Sequence, residues 1–141
     1  MFRHVGIVVD DLDAQREFYE ELIGLEVYYD EIEEGAFLQH ITGIQNPKAH
    51  ILKLGKNGNT IVELLSFRIS GSNTRRELDT KGITHFALEV DDLESLHVKM
   101  AKGGVKFVNP PELNPGGTHK VAFCVDPEDN FIELVECISE E

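Results

Sequence analysis

"HVGIVVDDLD", beginning at His4, returns as "HFALEVDDLE", beginning at His85, within one chain of 141 residues. A second echo pairs "IVELL", residues 61–65, with "FIELV", residues 131–135. Two echoes in the same order indicate a duplicated module. A repeat of this kind constrains the fold more than any local propensity, because both copies have to build the same unit. The stretch from His to Glu is longer in the first copy. The extra residues fall in 30–49, "DEIEEGAFLQHITGIQNPKA", where a longer loop or strand extension is expected.

Each copy reads β-α-β-β-β. "RHVGIVV" alternates and is rich in Val and Ile, which marks a strand. Asp11 or Asp13 is placed to cap the following helix, Ala14, Phe18 and Leu22 form its apolar stripe, and Gly24 ends it. In the second copy Asp92 caps, Leu93, Leu96 and Met100 make the stripe, and Gly103-Gly104 stops it. Further strands are predicted at 25–31, 50–54 and 60–67, then at 105–109, 119–125 and 130–137. The expected organisation is a single α+β domain over 1–141: module one at about 1–67, a polar linker at 68–82 and module two at about 83–138. A chain of this length can bury a sizeable core.

With 26 acidic against 13 basic residues, the net charge of −13 disfavours nucleic acid and anionic membrane surfaces as partners. A small anionic substrate stays compatible, because a metal or a few basic groups can reverse the sign locally. The apolar run Val5 to Val9 is too short for a signal peptide or a membrane span, so the reading is an intracellular, cytoplasmic protein. Cys124 and Cys137 form no CxxC pair and read as buried free thiols.

Side chains alternate across a strand, which divides each strand into two faces. Val5, Ile7 and Val9, like Phe86, Leu88 and Val90, make uniformly apolar faces suited to receive helices. The other face carries His4 or His85, each followed two positions later by a small residue, Gly6 or Ala87. Glu63 and Glu133 lie among apolar neighbours on both sides. Burying an unpaired carboxylate costs several kcal/mol, so each needs compensation. A divalent cation held by His4, Glu63, His85 and Glu133 supplies it, since two carboxylates and two neutral imidazoles carry the opposite charge. Nickel, cobalt, manganese, zinc and ferrous iron all suit such donors, and the missing thiolate argues against a closed structural zinc site. Taken singly, each residue is better explained by a hydrogen-bonded or solvated strand position; the argument rests on the repetition.

With those residues in place, the chain resembles the vicinal oxygen chelate superfamily, which includes glyoxalase I, methylmalonyl-CoA epimerase, extradiol dioxygenases and bleomycin- and fosfomycin-resistance proteins. The resemblance is carried by "HVGIVVDDLDAQREFYEELIGLEV", "IVELL", "GITHFALEVDDL" and "DPEDNFIELVE", nearly the whole chain. It implies paired βαβββ modules with sheets curled around a metal-binding cavity. His4, Glu63, His85 and Glu133 then fall on the four ligand positions of the glyoxalase I pattern, and by analogy with short glyoxalases nickel or cobalt is favoured. The resemblance also implies a homodimer and a small-molecule substrate with vicinal oxygens. Departures are equally informative. Glutathione-using members carry an arginine where this chain has Val8 and an asparagine where it has Phe67, which points away from glutathione. The epimerase has a His-His pair where Thr84-His85 stands, and extradiol dioxygenases have a tyrosine where Cys124 stands.

The activity implied is that of a lyase or isomerase. A vicinal-oxygen substrate chelates the metal, and a carboxylate moves a proton through an enediolate or enolate. Glu133 is the base favoured by the resemblance, and Glu63 is able to exchange roles with it. The alternatives are an epimerase-type isomerase, ring-cleaving oxygenation of a catechol at iron, with His119 as acid-base group, and a non-catalytic small-molecule binder. Arg75 and Arg76 are candidates for an anionic substrate group, and His119 and Lys120, after "NPGG", for a loop bordering the pocket. Both pairs are also ordinary solvated residues on the bland reading. His40, His50 and His97 have no counterpart in the other copy, and Asp30 to Glu34 reads as a solvating acidic stretch.

Overall fold

The computed structural model describes residues 1–67 and 76–138. The chain divides into two compact units, Met1–Asn73 and Thr74–Glu141. The first runs β1 (Val5–Val8), α1 (Leu12–Arg16), β2 (Glu26–Glu34), α2 (Ala36–Thr42), β3 (Lys48–Lys56) and β4 (Asn59–Phe67). The second runs β5 (His85–Glu89), α3 (Leu93–Lys102), β6 (Glu112–Leu113), β7 (His119–Val125) and β8 (Phe131–Cys137). Each unit holds a four-stranded mixed sheet of equivalent order, β1-β4-β3-β2 and β5-β8-β7-β6. In both, the first strand lies parallel to the last and the remaining pairings are antiparallel. The expected α+β modules are therefore present, as two open sheets.

The helices begin and end where the cap residues place them. The Asp11 carboxylate accepts from the Ala14 amide at 3.0 Å, and Asp92 accepts from the Ser95 amide at 3.0 Å. After Arg16 the first helix continues in π-helical turns over Glu17–Ile23 and stops at Gly24, whose φ of 91° is left-handed. One face of each sheet is covered: α1 packs on β4, and α3 on β7 and β8. Val62, Leu64, Leu52 and Leu54 are buried in the first unit, and Leu88, Ala122, Ile132 and Leu134 in the second. Each of the Val, Leu and Ile side chains among them contributes about 1.5–3 kcal/mol relative to exposure.

Two expectations change. The segment 30–49 extends β2 to Glu34 and then forms a helix, α2, whose Leu38 packs with Ala49, Ile51, Tyr29, Leu65 and Phe67. The strand expected at 105–109 is reduced to an isolated bridge, Phe107 to Cys124. The reason is local. Asn109 uses its side chain as a substitute ladder, donating to the Val121 carbonyl at 3.2 Å and accepting from the Phe123 amide at 3.1 Å. Pro110 and Pro111 then supply no amide donors.

The acidic stretch is also more structured than a solvated run. Asp30 meets His50 Nε2 at 2.6 Å and Arg16 at 2.8 Å. The His50 hydrogen bond, and secondarily the Arg16 one, hold its carboxyl below the usual range. Glu33 accepts from the Tyr29 hydroxyl at 2.7 Å. Cys124 is buried as expected, and burial pushes its thiol up to about 12, with a smaller push from Asp126. Cys137, at the end of β8, is exposed instead.

The β3–β4 hairpin sets the register that matters most for function. Asn57 and Gly58 turn it with φ of 54° and 79°, the left-handed pair a two-residue turn requires. A register shift between Leu54 and Gly55 precedes the turn. Gly55 lies so close to the opposing strand that a Cβ there would fall 1.8 Å from the Asn59 carbonyl oxygen.

Candidate metal-binding pairs

In each unit the histidine and glutamate singled out by the repeat meet on the sheet face opposite the helices. His4 immediately precedes β1, and the parallel pairing of β1 with β4 sets Gly6 beside Glu63. The second unit repeats this, with His85 opening β5 and Ala87 beside Glu133. The small residue in each register position leaves space around the carboxylate. His4 Nε2 stands 3.3 Å from Glu63 Oε2, and His85 Nε2 stands 3.4 Å from Glu133 Oε2. The carboxylates are half-buried, with side chains 16% and 25% exposed, so their desolvation is milder than the flanking apolar residues imply.

The length of the gap carries information. A charge-assisted N–H···O bond closes to about 2.7–2.9 Å, and His50 does close on Asp30 at 2.6 Å. Within each repeated pair the imidazole and the carboxylate stand further apart. Donors about 2.0–2.2 Å from one ion, at angles between a right angle and the tetrahedral value, lie about 3.0–3.5 Å apart, which matches both gaps. His85 is also oriented as a ligand would be: its Nδ1 pairs with the Thr84 hydroxyl at 2.9 Å, and its ring meets Phe123 edge-on at 5.1 Å. A hydrogen bond at one ring nitrogen fixes the ring and leaves the other for an ion. Each pair thus has the spacing of two donors, one imidazole nitrogen and one carboxylate oxygen, on one ion. Among the described residues, no three His, Cys, Asp or Glu side chains form a metal-holding group.

The remaining candidates lie elsewhere. Arg75 is outside the described residues. Arg76 is exposed and donates to the Ile83 carbonyl at 3.2 Å. His119 shares the Glu133 face, since it pairs with Cys137 as Phe123 pairs with Glu133, and its Nδ1 is taken by the Thr118 hydroxyl at 2.7 Å. Lys120, one residue on, turns to the helix side and meets Glu94 of α3 at 3.7 Å.

Sequence reasoning passed over Lys53. It is the register partner of Glu63, its Nζ lies 3.8 Å from Glu63 Oε2, and it sits over the Tyr29 ring at 4.7 Å. The second unit has Phe123 in that place beside Glu133. Only the hairpin register reveals the match, and no local pattern announces it.

No helix among the described residues is long and apolar enough to cross a membrane. The family model for the Glyoxalase/Bleomycin resistance protein/Dioxygenase superfamily matches residues 2–134. A lactoylglutathione lyase of Schizosaccharomyces pombe is 28% identical over 144 residues, covering 94% of this chain and 46% of its own. The chain thus spans about half the length of that relative. A probable lactoylglutathione lyase of Synechocystis is 29% identical over 140 residues, covering 98% of this chain and 96% of its own. The crystal structure of a glyoxalase family protein from Bacillus cereus superimposes with a TM-score of 0.86 at 22% identity, over 98% of this chain and 94% of that one, a likeness of fold. Over nearly its whole length, the chain belongs to the Glyoxalase/Bleomycin resistance protein/Dioxygenase superfamily.

Proposed function

We propose that the protein is a metal-dependent lyase or isomerase, similar to glyoxalase I, that moves a proton at a carbon next to a carbonyl of a small substrate with two neighbouring oxygens. One observation carries the reading: the same stood-off His–Glu pair recurs at equivalent register in both modules, at 3.3 and 3.4 Å. His4, Glu63, His85 and Glu133 would hold one divalent ion, nickel or cobalt by family analogy. Such an ion supplies Lewis-acid stabilisation of negative charge on a substrate oxygen.

The chain's own residues supply the rest. Glu133 takes the proton and returns it, because it lies on a sheet face between Phe131 and Val135, beside the Phe123 ring and, among the described residues, with no lysine paired to it. Glu63, next to Lys53, stays a fixed carboxylate. Thr84 holds the His85 ring in place. His119, on the Glu133 face, is placed to meet the far end of the substrate. Val8 and Phe67 offer no polar group where glutathione-using members of the resembled family have one, which weighs against a glutathione adduct as substrate. We extend the proposal to a homodimer.

The test is protein purified without chelator, analysed for metal, sedimented, and assayed with hemithioacetal, acyl-CoA and catechol substrates. The expected result is a dimer carrying nickel or cobalt, with turnover of a hemithioacetal or acyl-CoA that chelation abolishes. Oxygen uptake with a catechol, or binding of all three classes with recovery unchanged, would contradict it.

A further inference from the structure

Lys53 breaks the internal symmetry of the molecule. Each half presents a histidine, a glutamate and the glutamate's register partner on the same sheet face, yet that partner is Phe123 in one half and Lys53 in the other. A lysine on a sheet face between Ile51 and Gly55 gains nothing from packing that an apolar residue would not gain. Its placement is nevertheless well defined. The Tyr29 ring underlies Nζ at 4.7 Å, and the Tyr29 hydroxyl is anchored on Glu33 at 2.7 Å. The carboxylate paired with Lys53 is that of Glu63, while Glu33 is already engaged by the tyrosine.

Two cationic or potentially cationic groups converge on one oxygen, Glu63 Oε2: His4 Nε2 at 3.3 Å and Lys53 Nζ at 3.8 Å. If that oxygen is committed to a divalent ion, Lys53 loses its counter-charge. The four donors and the ion sum to zero, and the ammonium is left as a net positive charge one side chain from the reacting centre. Its three donors then need an acceptor, and the apolar neighbours Ile51 and Leu65 on that sheet face supply none. We propose that Lys53 determines specificity by receiving an anionic oxygen group, a carboxylate or a phosphonate, carried by the substrate close to its two chelating oxygens. The inference rests on the metal-site reading above and narrows the substrate class to acids.

Hydroxamates with one common chelating head and different tails test this by calorimetric titration of the cobalt-loaded protein: butyrohydroxamate, succinomonohydroxamate and phosphonoacetohydroxamate. A charge-assisted contact predicts that at least one acidic arm binds about tenfold more tightly than the neutral one. Whichever acidic arm binds more tightly identifies the group as carboxylate or phosphonate. In Lys53→Met the preference should fall below about twofold, and in Lys53→Arg, which keeps the charge, it should persist. Thermal melting of both variants reports whether the fold is kept. A Lys53→Met protein that still prefers the acidic arms overturns the proposal and leaves Lys53 as a simple counter-charge for Glu63. Absence of any hydroxamate binding to the loaded wild type overturns the metal reading itself, and this inference with it.

Discussion

Glu133→Gln is expected to lower turnover by about 10²–10⁴-fold, the range over which a positioned acid-base group contributes. Gln has the same shape and keeps one oxygen donor, so the packing of β8 and part of the metal affinity should survive. What disappears is the capacity to take a proton. Glu63→Gln should act differently, since Glu63 Oε2 faces both His4 and Lys53 and its loss strands a lysine beside a weakened ligand set. The expected distinction is between a defect that is mainly catalytic in the first variant, with part of the metal retained, and one that is mainly in metal binding in the second. Metal content measured beside kcat separates the two. A Glu133→Gln protein with wild-type kcat would remove that residue from the proton transfer.

Gly55→Ala should be the most damaging single-methyl change in the first unit. The added carbon would sit 1.8 Å from the Asn59 carbonyl oxygen and 2.7 Å from the carbonyl carbon, both backbone atoms that cannot rotate aside. The β3–β4 hairpin has to open or slip, at a cost of about 3 kcal/mol. Against a total stability of about 5–15 kcal/mol, that is a large fraction. A fall in Tm of about 10 °C is expected by calorimetry. Gly6→Ala is the matched control: its Cβ would meet only Leu65 Cδ1, at 3.7 Å, an ordinary contact, and Ala87 already fills the equivalent place in the second unit. The consequence reaches function because the same hairpin sets Lys53 opposite Glu63. A Gly55→Ala protein that melts with the wild type would show the hairpin to be looser than its geometry implies.

What the sequence made legible followed from repetition. The repeat alone pairs His4 with Glu63 and His85 with Glu133, because each type of residue appears twice in equivalent surroundings. The cap at Asp92 and the stop at Gly24 were legible because each has a local chemical cause, while the first cap was narrowed to Asp11 or Asp13 and the structure selects Asp11. Helix α2 was not. Its N-cap is Gly35, with no side-chain cap, and of its apolar residues Leu38 is buried while Phe37 and Ile41 are exposed, so no stripe marks it. The missing strand at 105–109 reflects a side chain, Asn109, replacing a ladder that alternation alone seemed to promise. Lys53 escaped for a third reason. Its neighbour across the sheet depends on a turn and a register shift, and these set a pairing that spacing along the chain does not encode.

Visible-absorption titration of the metal-free protein with cobalt, in wild type, His4→Ala and His85→Ala, tests the shared-site claim most directly. The account predicts one saturable ion for each four-donor set and a loss of affinity of about a hundredfold or more in either variant, because each removes a ligand from the same ion. Wild-type affinity in either variant, or two independent ions in each chain of which each variant loses only one, would contradict it.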